Sequence, residues 1–223
     1  MLHRLCATIT ALALGGCSGP LSTLDTAGPA AASIATLWWA MLAGSAVLTL
    51  LVTALLAMAF IRRPRKVPGT SLWIGWLGVA MPSAILMLLL GFALGLGEQT
   101  IARPSTKTVT VEATAHQWYW HFRQPGATSA IETQNVLHIP AGRPVDVRIS
   151  ASDVIHSFWV PRLAGKMDAI PGHVNVLRIE ASRPGEFEGQ CAEFCGLDHT
   201  NHRFRVIAHD EAGWATFQLG ERP

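Results

Sequence analysis

Two apolar runs without a single charge limit what this chain can fold into. The first, Ile34 to Ile61, and the second, Ser71 to Gly97, are each long enough to cross a bilayer with some tilt. Over the whole chain 50% of residues are hydrophobic and 14% charged, a low charge content that agrees with membrane segments. Trp38 and Trp39 lie near the outer end of the first run, and Trp73 and Trp76 near the start of the second, where indole rings favour the membrane interface. Pro82 is expected to kink the second run. Between the runs Arg62, Arg63, Arg65 and Lys66 cluster around Pro64. Basic residues stay on the cytoplasmic side, so the sequence predicts spans at 34–61 and 72–97, a cytoplasmic loop at 62–71, and both flanks outside. A hairpin with no charged residue inside it is a poor channel or pump. It is better suited to packing on a larger membrane partner.

The N-terminus has the form of a targeting segment. His3 and Arg4 precede an apolar stretch from Leu5 to Leu14, and Leu14-Gly15-Gly16-Cys17 follows the pattern of a lipoprotein processing box. Residues 1–16 are therefore expected to be a bacterial export signal, with Cys17 the lipidated first residue of the mature chain. Such a lipid would add an anchor to a protein that already has spans. Residues 17–33 are small and turn-rich and are expected to form an extended linker outside the membrane.

Beyond the second span the pattern changes to short alternating segments. Lys107 to Ala113, Val136 to Ile139, Val145 to Ser150, Val174 to Glu180 and Phe204 to Ala208 are expected strands, separated by Pro- and Gly-rich turns. Many short strands in roughly a hundred residues indicate one β-sandwich or barrel, here residues 107–210. A tail at 211–223 follows, with a short helix expected between Asp210 and Leu219. From Lys107 onward eleven Lys and Arg stand against thirteen Asp and Glu, so this domain is near neutral. It has no basic nucleic-acid patch, no Gly-rich phosphate loop and no Ser-centred nucleophile motif. No nucleic-acid partner is expected.

The chemistry is concentrated in Cys191-Ala192-Glu193-Phe194-Cys195-Gly196-Leu197-Asp198-His199-Thr200-Asn201-His202. Its order is C-x3-C-x3-H-x2-H, whereas zinc knuckles usually space their cysteines by two. Two thiols close together with flanking imidazoles suit copper, which takes soft thiolate and imidazole donors. A structural disulfide with satisfied histidines is the plain alternative. His156 follows the strand Val145 to Ser150, and a sandwich can bring it beside this loop, a cupredoxin-like arrangement. One cysteine serves a mononuclear site; two in one loop allow both sulfurs to bridge two copper ions. Sharing one electron over two ions reduces the rearrangement on transfer, which favours a relay over bond-making chemistry.

Several stretches together resemble subunit II of haem-copper cytochrome c oxidases, the subunit that carries the binuclear copper A centre. They are His116-Gln117-Trp118-Tyr119-Trp120, Asp153-Val154-Ile155-His156-Ser157, Lys166-Met167-Asp168-Ala169-Ile170-Pro171-Gly172 and Gly189-Gln190-Cys191-Ala192-Glu193-Phe194-Cys195-Gly196, with His199 after them. The resemblance implies a two-helix transmembrane hairpin followed by an all-β cupredoxin-like Greek-key sandwich. It places the protein in the bacterial inner membrane with the C-terminal domain on the periplasmic face. It implies electron transfer from cytochrome c to the copper centre and on to haem in subunit I, where oxygen is reduced to water. Subunit I, subunit III, cytochrome c and membrane lipid would be its partners. By the same resemblance His156 and His199 supply ring nitrogens, Cys191 and Cys195 bridge two coppers, and the Glu193 carbonyl binds one of them. The Glu193 carboxylate would face a magnesium ion at the boundary with subunit I, Trp118 would be where electrons enter, and Asp153, Lys166 and Asp168 would be framework and interface residues.

The chain departs from that pattern twice. His202 stands where the family has a methionine as weak ligand, three residues after the second histidine. It is expected to take that place as a copper ligand; the alternative points it to solvent or a carboxylate. Gly75 stands where many relatives carry a glutamate linked to proton uptake. A copper-free structural subunit of a haem-copper oxidase, including the quinol type, is the competing functional reading; Cys191, Cys195, His156 and His199 weigh against it. No C-x2-C-H motif occurs, so no fused cytochrome is expected.

Overall fold

The computed structural model describes residues 18–61, 69–98 and 108–220. The export signal, Cys17, the basic loop from Arg62 to Lys66 and the expected start at Lys107 lie outside the described residues.

One compact unit, Thr36–Gln99, is helical. Helix α1 (Pro29–Ile61), whose first residues belong with the other, sandwich unit, has no charged residue and an exposed apolar surface along its length, including Leu50, Val52 and Phe60. A π-helical stretch, Ser71–Ala80, passes directly into α2 (Met81–Glu98). The change of winding falls at Pro82: the Met81 amide still bonds back to the Trp76 carbonyl, and proline, with no N–H, cannot continue that ladder. Both α1 and the Ser71–Gly97 stretch are long and apolar enough to cross a membrane. Side chains that face water would not show such a surface; lipid is the medium that suits it.

The other unit is a two-sheet sandwich. Its strands are β1 (Val109–His116), β2 (Tyr119–Gln124), β3 (Ile131–Gln134), β4 (Val136–Pro140), β5 (Val145–Ala151), β6 (His156–Trp159), β7 (Met167–Ala169), β8 (Asn175–Ile179), β9 (Gly185–Cys191) and β10 (Arg203–His209). One sheet runs β3-β2-β1-β5-β8 and the other β4-β10-β9-β6-β7. Both mix antiparallel pairs with one parallel pair, β1 with β5 and β4 with β10. Alternation explains the core. In β5, Val145, Val147 and Ile149 are buried while Arg148 points out, and in β10 Phe204, Val206 and Ala208 do the same against Arg203 and Arg205. Trp120, Phe122, Phe158 and Phe204 meet in the middle with ring centroids 4.7–6.3 Å apart.

Helix α3 (Glu211–Gln218) closes one end. Asp210 caps it, its side chain accepting from the Gly213 amide at 2.8 Å. Phe217 stacks on His138 at 4.3 Å.

The stretch read as an extended linker differs from that expectation. Residues 18–28 are turns, α1 begins at Pro29, and Ala27 and Ala31 are buried against the sandwich. Ala27 accepts a hydrogen bond from the Ser182 amide and donates one to the Arg162 carbonyl, so the segment is held from both sides.

Candidate metal centre

Strand pairing assembles the site. His156 is the first residue of β6 and Cys191 the last of β9, and these strands are antiparallel neighbours with Phe158 opposite Cys191. The Cys191 amide donates to the His202 carbonyl at 2.9 Å, which brings the start of β10 alongside. Between them the chain makes a compact loop. Ala192 donates to the Ser157 carbonyl, and a 3-10 turn at His199–Asn201 folds the end of the loop back.

The donor atoms converge. Cys191 Sγ and Cys195 Sγ are 3.8 Å apart and both thiols are free, so no disulfide joins them. His156 Nδ1 lies 3.8 Å from Cys191 Sγ, and the Glu193 carbonyl oxygen 3.2 Å. His199 Nδ1 and His202 Nδ1 lie 3.5 Å and 3.6 Å from Cys195 Sγ. His156, Cys191, Cys195 and His202 are all buried, with ligand atoms within 4.8 Å of one another, and this quartet can hold a metal ion. His202 is fully buried, so the alternative that points it to solvent does not describe its position.

Electrostatics favour a thiolate here. Burial pushes the Cys191 thiol up, but hydrogen bonds with His156 and His202 and from backbone outweigh it and bring Cys191 down to about 4. Burial and then the neighbouring Cys191 charge push Cys195 up to about 12. Without a cation the loop therefore holds one negative charge readily and resists the second. Burial lowers the His156 pKa, yet its hydrogen bonds to Cys191 and Asp153 raise it overall. Asp153 Oδ1 meets His156 Nε2 at 2.8 Å, fixing the ring so that Nδ1 faces the sulfurs.

A sequence model described as "Cytochrome C oxidase subunit II, periplasmic domain" matches residues 123–208. Cytochrome c oxidase subunit 2 of Alkalihalophilus pseudofirmus is 34% identical over 219 residues, covering 88% of this chain and 61% of that protein. The crystal structure of the periplasmic domain of subunit II of cytochrome oxidase from Bradyrhizobium japonicum matches with a TM-score of 0.50 and 27% identity, over 54% of this chain and 96% of that one.

Along most of its length the chain is similar to subunit II of cytochrome c oxidases. It spans about three fifths of the length of the curated relative it matches. Its fold is the expected hairpin plus cupredoxin-like sandwich, and the topology is that of a two-pass inner-membrane protein with the sandwich periplasmic.

The family's other motif residues surround the same loop. Trp118 is about a third exposed, and its ring lies over Gly196: a Cβ there would stand 3.2 Å from Trp118 Cζ2. Gly196 also has φ +125°, a conformation that side chains disfavour. Glu193 and Asp168 carboxylates take Lys166 Nζ at 3.4 Å and 3.2 Å. Two residues have a larger part than the sequence indicated. Gln117 donates through Nε2 to the Cys195 carbonyl at 2.7 Å and through its amide to Asp153 Oδ2, so it ties the metal loop to β1. Trp120 forms the inner wall, 5.5 Å from the His202 ring and 6.4 Å from His156. The alternation of β1 and β2 signals only that Trp120 is inward; its metal-facing place depends on pairing across the sandwich.

Proposed function

We propose that this chain is the electron-accepting subunit of a respiratory terminal oxidase. It takes electrons from cytochrome c at a binuclear copper centre and passes them to haem in subunit I, where oxygen is reduced to water. The observation that carries this reading is the donor count. Two thiols, three imidazoles and a backbone carbonyl converge, more than one tetrahedral zinc uses. The buried quartet leaves His199 and the Glu193 carbonyl over. His156, His199, His202, the Glu193 carbonyl and the Cys191 and Cys195 sulfurs would together hold the metal. The soft, mixed thiolate and imidazole set fits copper. When bound, the copper pair supplies a one-electron store.

The chain's own residues do the rest. The second thiolate, resisted by burial and by the Cys191 charge, forms only against bound cations, so metal uptake releases protons. Asp153 holds His156, and Gln117 holds the Cys195 peptide, which keeps the donor set in place during transfer. Trp118, over Gly196, is where electrons enter. Phe158, Phe204 and Trp120 exclude water on the inner side. Glu193 is the chain's candidate for a magnesium ion at the subunit I boundary. Its Oε2 meets Lys166, which leaves Oε1 to take a cation. Subunit I, subunit III and lipid are the membrane partners, with Cys17 the lipidation site. The division of the chain into signal (1–16), outer segment (17–33), spans, copper domain (107–210) and tail follows the same reading.

Metal analysis with optical and electron spin spectra of the purified protein tests it. Two coppers per chain sharing one unpaired electron are expected. A single zinc, or a Cys191–Cys195 disulfide with no copper uptake after reduction, would return the reading to a copper-free structural subunit.

A further inference from the structure

The segment Asp25–Ala31 holds the loop that follows β6. Arg162 Nε donates to the Asp25 carbonyl at 2.8 Å, and its Nη2 pairs with the Asp25 carboxylate at 3.1 Å. The Ala27 amide bonds to the Arg162 carbonyl and the Ala31 amide to the Leu163 carbonyl. Gly28 packs without clearance: a Cβ there would overlap the Glu180 carbonyl oxygen and stand 3.0 Å from that of Leu163. A Cβ on Gly165 would touch Ile34 Cδ1 in the next turn of α1. A few residues further on, the same loop presents Lys166 to Glu193, whose carbonyl faces Cys191 Sγ. A continuous set of contacts thus links the start of α1 to the metal loop.

We propose that Asp25–Ala31 is a positioning strap for electron transfer out of the metal centre. This rests on the electron-transfer reading above. The strap fixes the Arg162–Lys166 loop, and through Lys166 the Glu193 side of the centre, which the proposed function places at the boundary with subunit I, where the electrons go. Its hydrogen bonds and close approaches go to Arg162, Leu163, Glu180 and Ser182, so it sets the exit of electrons and leaves their arrival alone. Gly28 and Arg162 are its positioning residues: the first permits the close approach to Glu180, the second supplies the charged clasp.

The test uses the intact oxidase complex carrying Gly28→Ala or Arg162→Gln, with a photochemical reductant injecting electrons. Copper content, the copper spectrum and potential, the rate of copper reduction and the rate of onward transfer to haem are measured. Small misplacements of reacting groups have large kinetic effects, so onward transfer is expected to fall by roughly tenfold while the other readouts stay at wild type. Arg162→Lys, which keeps the charge opposite Asp25, should recover most of the rate. If Gly28→Ala prevents assembly, Arg162→Gln alone decides. Unchanged onward transfer in an assembled variant overturns the strap, and so does a loss of copper or of copper reduction in step with it. A wild-type complex whose copper never accepts the electron overturns instead the functional reading beneath it.

Discussion

Gly189 shows how tightly the centre is tied to the core. It occupies an inward position on β9, two residues before Cys191, where alternation calls for an apolar side chain. The space is already taken. A Cβ at Gly189 would overlap the Phe204 ring, whose Cε1 would lie 2.8 Å away. Phe204 has no room to withdraw, since Phe158, Trp120 and Phe122 stand at 4.7, 5.3 and 5.6 Å between centroids. Gly189→Ala is therefore an overpacking change, costing about 3 kcal/mol at the upper end of that class. The Gly189 backbone is not in the left-handed region, so alanine regains about 1 kcal/mol by restricting the unfolded chain. The net loss is about 2 kcal/mol, or about 8 °C in Tm for a sandwich of roughly 110 residues. Because β9 pairs with β6 through Cys191 and Phe158, the strain should also broaden the metal-centre spectrum. Thermal melts of the detergent-solubilised protein measure the loss. Phe204→Leu, which opens the space, should make the alanine nearly neutral in the double variant. A Gly189→Ala protein that melts within about 1 °C of wild type, or strictly additive costs in the double variant, would refute the packing argument.

Other expectations can be checked alongside. His138 Nδ1 and His209 Nε2 are 2.8 Å apart beneath Phe217; burial and then the neighbouring His209 push His138 down to about 4, and burial lowers His209 too. Between pH 6.5 and about 4 the unfolded chain holds more protons than the folded one, so stability is full above 6.5 and falls with pH by at most about 3 kcal/mol from His138; denaturant melts should show this decline and His138→Gln should flatten it. His202→Met should keep two coppers while raising the reduction potential, because a thioether holds Cu(II) less strongly than imidazole; an unmoved potential and spectrum would remove His202 from the ligand set. Trp118→Ala should slow electron arrival from cytochrome c far more than it lowers copper content, and unchanged arrival kinetics would place the entrance elsewhere.

The parts of the fold visible in the sequence are those whose side chains follow one rule. Uncharged length marks the two helices, and clean alternation marks β1, β5 and β10. What was hidden broke its own pattern. In β9 the inward places are Phe187, Gly189 and Cys191, so a glycine and a ligand interrupt the apolar signal, and the reason for the glycine lies in Phe204 on another strand. In β6 three consecutive residues are buried, which leaves no alternation to read. Small, turn-rich residues at 17–33 point to an extended linker, yet small residues are also what a segment needs to lie close on a sandwich edge, as Ala27, Gly28 and Ala31 do. At the site, residue types and spacing point to the cysteines and histidines that the structure brings together. The partners that hold them, Gln117 and Trp120, depend on long-range pairing that no local pattern reports.

His202 is where these two kinds of information meet. The sequence shows an imidazole at a position the family gives to a thioether. The structure shows the kind of pocket that receives it. His156 has an outer partner, because Asp153 takes its Nε2. His202 has none: its Nε2 is buried with no hydrogen-bond partner among the described residues, and its neighbours are the Trp120 and His156 rings. A buried unpaired nitrogen costs about 1–3 kcal/mol, whereas a methionine sulfur beside an aromatic ring asks for no such partner. The wall of this pocket thus suits the thioether, and the imidazole is accepted there for what its Nδ1 does at the sulfurs. Packing alone, without a carboxylate to orient it, holds the second imidazole of the quartet. The two histidines are therefore unequal donors, His156 strengthened by Asp153 and His202 not.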